Sequence, residues 1–221
     1  MEKLNRFLEW AYKTRGEAVK SLATGKMLSK EQMFLSFMSH NPVFISNGVR
    51  GLNGAVKGIG FIPKEEYLSQ ALKEYKEHIK SYVKGDRNYQ KRGLELLIKW
   101  LYSAEACKNI DFDHLYGIEM AYENSYHNYI NNPECSMVFY QPPVISYEVK
   151  GKIELLGQKY DLDSDVENED LPIIQQFVNA QHDVYHNPNP SIWKTRLVYK
   201  FKIEEIYDKS STEAGFGTRI Y

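Results

Sequence analysis

The stretch HLYGIEMAYENSYHNYINNPECSMVFYQPPVISYEVKGKIEL, residues 114–155, decides the fold. Its middle, ENSYHNYINNPE, is polar and reads as a short helix or turn. On either side, hydrophobic residues alternate. Before it, Tyr116, Ile118, Met120 and Tyr122 alternate with Leu115, Gly117, Glu119 and Ala121. After it, Ile145, Tyr147, Val149, Ile153 and Leu155 alternate with Ser146, Glu148, Lys150, Lys152 and Glu154. A strand points successive side chains to opposite faces. The spacing therefore predicts strands with one face on a core and the other toward water or a partner. The polar joint between them is the first place to look for a ligand.

Upstream the period is helical. Leu4, Phe7, Leu8, Ala11, Tyr12, Ala18, Val19 and Leu22 recur at three and four, which predicts an amphipathic helix over 3–24, ending near Gly25. A second helix starts at Ser29. Ser29 and Gln32 form a capping-box pattern, and Leu28 is placed to staple onto Met33. Met33, Phe34, Phe37 and Met38 are its expected apolar face, and Asn41-Pro42 stops it. Two short apolar runs follow, 43–46 and 55–62, with the turn signals Asn47-Gly48 and Asn53-Gly54 between them. They predict a β-hairpin with a loose loop. Its glycines match no phosphate-loop pattern opening a helix. Residues 64–107 then return to helix in two pieces broken at Gly85, a helical hairpin inserted between strands.

Downstream of Leu155 the loop GQKYDLDSDVENED is acidic. Asp161, Asp163 and Asp165 fit the first alternating positions of a calcium loop. Val166 stands where that loop needs glycine and Pro172 where it needs the bidentate glutamate, so a solvated loop is the better reading. A helix is expected over roughly 170–183, then a rigid Asn-Pro-Asn-Pro loop. A last strand follows, with Leu197, Tyr199, Phe201 and Ile203 on one face. The tail from Asp208 is polar. Five or six antiparallel strands result, enough to close a small barrel. The expected class is α+β: a mainly antiparallel split β-barrel with N-terminal helices and an inserted helical hairpin. It makes one domain over 1–221, with 1–41 as N-terminal helices, 42–62 and 112–221 as barrel, and 63–111 as the insertion.

Composition narrows the function. The 221 residues carry a net charge of −1, so no global field favours nucleic acid or membrane. Seventeen Tyr, ten Phe and three Trp suit half-buried sheets and interfaces. Cys107 and Cys135 have no metal or disulfide spacing, which suits a reducing cytoplasm. No apolar run reaches the roughly 20 residues a membrane helix needs, and MEKLNRFLEW is unlike a signal peptide.

Four strings resemble the pyridoxamine-phosphate-oxidase-like superfamily of split-barrel FMN-binding proteins. NPVFISNGVRGLNGAVKGIGFI (41–62) is similar to the opening hairpin, and YGIEMAYENSYHNYINNPECSMVF (116–139) to the strand, polar helix and next strand. VISYEVKGKIELL (144–156) looks like the long strand with a central Gly-Lys, and TRLVYKFKIEEIYDKSSTEAGFG (195–217) like the closing strand and tail. The helices at 3–40 and 64–107 lie outside that pattern. The C-terminal Arg-x-His of true pyridoxine-phosphate oxidases is missing, since no His follows Arg219. The resemblance implies FMN in a groove at a homodimer interface and a flavin-dependent oxidoreductase of unknown substrate. Carried over by position, Lys57 is the charge partner of the phosphate. Ser125, His127 and Asn128 are its hydrogen-bond donors, and Tyr122 and Trp193 pack on the ring. The bland reading of these residues is a solvated lysine, a helix cap and core aromatics. A non-catalytic flavin- or heme-binding storage protein is one alternative. A metal-dependent hydrolase using His182 and His186, spaced i, i+4, is another, although no third ligand is marked. His40, His78 and His114 point to no specific chemistry.

Overall fold

The structure, a computed structural model, describes residues 5–157, 171–186 and 195–221. Its centre is an antiparallel sheet of seven strands: β1 (Val43–Gly48), β2 (Gly51–Val56), β3 (His114–Ile118), β4 (Glu134–Gln141), β5 (Ile145–Leu156), β6 (Val198–Asp208) and β7 (Thr218–Arg219). The order is β2-β1-β4-β5-β6-β3, with β7 paired to β6. Six helices surround it: α1 (Arg6–Ala23), α2 (Lys30–Met38), α3 (Glu65–Lys80), α4 (Tyr89–Leu97), α5 (Asn124–Asn131) and α6 (Ile173–His186). The architecture is α+β and of split-barrel type.

The sheet does not close, contrary to the expected small barrel. β2 ends at Val56, and Gly58, Gly60 and Pro63 interrupt any continuation. The chain still spans the gap as a single extended segment. Lys57 N–H donates to the Pro42 carbonyl at 3.2 Å and Ile59 N–H to His40 at 2.8 Å. Gly60 and Tyr116 then exchange bonds of 2.8 and 2.9 Å, tying the segment to β3.

The expected hairpin is tighter than its sequence suggests. Gly48 pairs with Gly51 across a two-residue corner, Val49-Arg50, so both Asn-Gly pairs lie inside strands. The second strand is 51–56, not 55–62, and Lys57 lies one residue beyond it. Gly51 adopts φ +74°, which glycine tolerates without a Cβ clash.

β5 follows its alternation: Tyr147, Val149 and Ile153 are buried. A register shift falls between Lys150 and Gly151. A Cβ on Gly151 would lie 1.9 Å from the Lys202 carbonyl oxygen, so the strands approach through that glycine. β3 departs from its alternation. Leu115 and Tyr116 are both buried, with α6 packed on β3 and the 57–62 segment bridged to its free edge at Gly60. The strand also stops at Ile118, leaving Met120 and Tyr122 outside it.

Helix α1 presents Phe7 to Phe139 and Tyr147, at ring centroids of 4.9 and 5.4 Å. α3 meets α6 through Tyr75 and Phe177 at 5.0 Å. Sheet and helices thus share one hydrophobic cluster. The capping box forms at α2: Gln32 N–H donates to Ser29 Oγ and Ser29 N–H to Gln32 Oε1. The expected apolar face of α2 is not buried, however. Met33, Phe34 and Phe37 are exposed, and the buried residue of this helix is Ser36. After α4 the chain makes a π-helical turn over Ile98–Tyr102. No helix among the described residues is long and apolar enough to cross a membrane.

Candidate functional site

The polar joint gathers around Glu119, one residue past β3. Its side chain is 1% exposed, and it is fully answered. Oε2 receives Lys57 Nζ at 3.3 Å and the Tyr199 hydroxyl at 2.9 Å. Oε1 receives the backbone N–H groups of Ala121 and Tyr122 at 2.8 and 3.0 Å. Burial alone would raise the carboxyl's pKa. The Lys57 charge, the two amides and the Tyr199 hydroxyl outweigh it and hold the group below its ordinary value. Lys57 also lies 5.1 Å from the Tyr199 ring centroid. Tyr199 leads by ring contact to Tyr129, at 5.9 Å, whose hydroxyl interacts with Ser125.

Helix α5 clamps the β1–β2 hairpin. Asn128 is completely buried. Its Oδ1 accepts from Arg50 N–H at 2.8 Å, and its Nδ2 donates to the Gly51 carbonyl at 2.8 Å and to Ser46 Oγ at 3.3 Å. Ser125 Oγ accepts from Asn53 Nδ2 at 2.9 Å. Gly48 leaves room for this approach, since a Cβ there would meet Asn128 Cα at 2.9 Å. Tyr122 sits at φ +55°, a conformation uncommon for a bulky residue. Glu119 holds its N–H, and its hydroxyl accepts from Leu197 N–H at 3.3 Å. Tyr126 packs on it edge-on at 5.3 Å, with His127 beside Tyr126 at 5.5 Å.

The structure therefore brings Lys57, Tyr122, Ser125, His127 and Asn128 to one end of the sheet. Trp193 lies outside the described residues, as do Asp161, Asp163 and Asp165. For FMN, the half-buried aromatic wall of Tyr122, Tyr126 and His127 suits a flat ring. The phosphate side does not fit. The Lys57 charge is neutralised by the buried Glu119 carboxylate, and Asn128 is spent on the hairpin. The residue that decides this, Glu119, is 62 positions from Lys57 and was hidden in the alternation as a water-facing position.

A second site lies on the other side of the 57–60 segment. It is a cavity of about 310 Å³ between α1, the end of α2, the π-helical turn, β3 and α6. Arg15, His40, His182, Tyr185 and His186 line it. Arg15 donates to Ser36 Oγ at 3.0 Å and lies 4.2 Å over the Tyr185 ring. The His182 and His186 rings are 4.8 Å apart, and His182 Nδ1 is 3.5 Å from Asp183. Burial, and next the Arg15 charge, push His40 down to about 3. Partial burial, then His182 and Arg15, push His186 down to about 4. Among the described residues no group of three or more His, Cys, Asp or Glu is arranged to hold a metal ion. The i, i+4 spacing pointed to His182 and His186; nothing local marked Arg15 or His40.

No family model matches the chain, and no curated protein matches it. Solved structures do. HupZ of Group A Streptococcus is 10% identical, with a TM-score of 0.45, covering 88% of this chain and 100% of its own. A Listeria innocua protein named for pyridoxamine 5'-phosphate oxidase is 10% identical, with a TM-score of 0.39 and coverages of 81% and 98%. An F420 reductase is 12% identical, with a TM-score of 0.40 and coverages of 76% and 88%.

Proposed function

We propose that this protein is a homodimer that binds FMN in a groove completed by the second copy, and that it is a flavin-dependent oxidoreductase. The redox chemistry is the cofactor's; the protein supplies position and surroundings. The observation that carries the reading is the outer face of β2, β1 and β4. Leu52 and Val56 are 78% and 67% exposed, and Val43, Ile45 and Tyr140 continue the strip across paired strands. An apolar strip of this kind, ending on an edge strand, suits a self-complementary contact. Tyr122, Tyr126 and His127 supply the ring-facing wall, and the phosphate contacts fall outside the Lys57–Glu119 pair. Cys107 and Cys135 are both free thiols, in keeping with a reducing cytoplasm.

One observation favours the non-catalytic alternative, a protein that holds a flavin or heme without turnover. The carboxylate nearest the joint, Glu119, is locked in four contacts with its pKa lowered, so it is a poor proton donor.

The test is the absorption spectrum and mass of the purified protein. The reading expects flavin bands, FMN released on denaturation, and twice the 25.8 kDa chain mass. A colourless monomer that takes up no added FMN by calorimetry overturns it. Oxidation of a reduced nicotinamide by the flavin-loaded protein separates the enzyme from the storage protein.

A further inference from the structure

The cavity between α1, α2 and α6 is not used by the flavin reading, and its chemistry is specific. Its Arg15 guanidinium makes no ion pair with a carboxylate among the described residues. None of the residues lining the cavity is acidic. Ser36 and Tyr185 fix the guanidinium's direction, so its fork is pre-organised rather than free to swing. Such a group, in a partly dry recess, lacks the anion that normally accompanies it.

His40, the imidazole behind Arg15, does not supply competing charge. His40 Nδ1 faces the Ser36 carbonyl, and its Nε2 is 3.3 Å from Asn41 Nδ2. That arrangement suits a neutral ring donating from Nδ1 and accepting at Nε2. Much of the remaining wall is apolar, with Val19, Ile59, Leu97, Ile118 and Val178, and Asn41 and Gln181 add two neutral amides. Backbone of Gly58, Gly60 and Gly117 forms part of the lining, which gives a flat surface without side chains. Phe37 and Met120 are exposed at the rim, marking an opening. The volume, about 310 Å³, is that of a small-molecule pocket rather than a peptide groove.

We propose that this cavity is a binding site for a small organic carboxylate with a planar or apolar body, its carboxylate on Arg15 and its body between the glycine backbone and the apolar wall. The apolar wall excludes a bare inorganic anion as the best ligand, and the single cation excludes a polyanion. The site is separate from the flavin reading and does not depend on it.

The test uses calorimetric titration of the full chain with benzoate and with its neutral isostere benzamide, in flavin-loaded and flavin-free protein. Benzoate is expected to bind in the millimolar range or tighter, with benzamide at least tenfold weaker in both forms. Arg15→Gln abolishes the difference between the two probes. Arg15→Lys retains charge without the fork and keeps only part of the preference. Met120→Trp, a rim substitution, weakens both probes about tenfold and leaves the fold intact. Equal binding of the two probes, no benzoate binding, a benzoate preference that survives Arg15→Gln, or binding of both probes unchanged by Met120→Trp overturns the proposal. A colourless monomer that takes up no added FMN and still prefers benzoate refutes the flavin reading and leaves this one standing.

Discussion

The two polar regions on either side of the 57–60 segment contrast sharply. At the Lys57–Glu119 joint every charge and amide has an internal partner. At the Arg15 cavity a fixed cation faces a largely apolar wall with no carboxylate in the lining. Internal satisfaction makes the first region architecture: α5, the hairpin and the end of β3 are held in register by it. An unanswered charge in a recess makes the second a place for a ligand. A motif-like cluster of Lys, Ser, His and Asn is thus a weaker sign of binding than one arginine without an acid.

The largest expected effect falls on the joint. Glu119→Leu leaves the Lys57 ammonium buried without a partner and should cost about 3–5 kcal/mol in chemical denaturation. A cost below about 1 kcal/mol would mean that Lys57 relaxes freely into water and remains available to a ligand. Asn128→Ala comes next. It strands Arg50 N–H and the Gly51 carbonyl and should cost about 1–3 kcal/mol. Amide exchange should accelerate first at residues 48–51; uniform acceleration would argue against a local clamp.

The cavity has its own signature in pH. His40 holds at about 3 in the fold against 6.5 for the free side chain, with Arg15 and His186 as its charged and titratable neighbours. The folded protein therefore resists a proton that the unfolded chain accepts. The stability this confers is complete above pH 6.5 and is lost as pH falls toward 3. His40→Gln should flatten the acid limb by about 1.4 kcal/mol per pH unit, one proton's worth. An unchanged slope would place His40 in contact with solvent. The smallest stability effect is expected on the outer sheet face. Leu52→Glu with Val56→Lys should change monomer stability by only about 0.5 kcal/mol, yet halve the mass in solution. A mass unchanged from the parent would remove that face from the dimer.

Much of the scaffold was legible in the sequence, for local reasons. Ser29 and Gln32 cap α2 as their spacing predicts, and the alternation of Tyr147, Val149 and Ile153 fixes β5. The alternation of Met120 and Tyr122 does not extend β3, because Glu119 accepts the Ala121 and Tyr122 N–H groups and turns the chain past Ile118. β7 gave no signal: two residues pair with Tyr207 and Asp208 in a tail that reads as polar. The site residues were legible as types but not as partners. Lys57 meets Glu119 from 62 positions away, and Arg15, His40 and His186 converge from α1, the turn after α2 and α6. Neither encounter leaves a pattern in any short window.

The most direct measurement is the coupling energy between Lys57 and Glu119, from Lys57→Met, Glu119→Leu and the double substitution. If the lysine's charge is consumed by the glutamate, each single change is strongly destabilising. The double change, which replaces the pair by apolar side chains, then costs less than either, with a coupling of about 2 kcal/mol or more. Additive costs, with Lys57→Met tolerated alone, would show a lysine whose charge is free for a phosphate and would contradict the account.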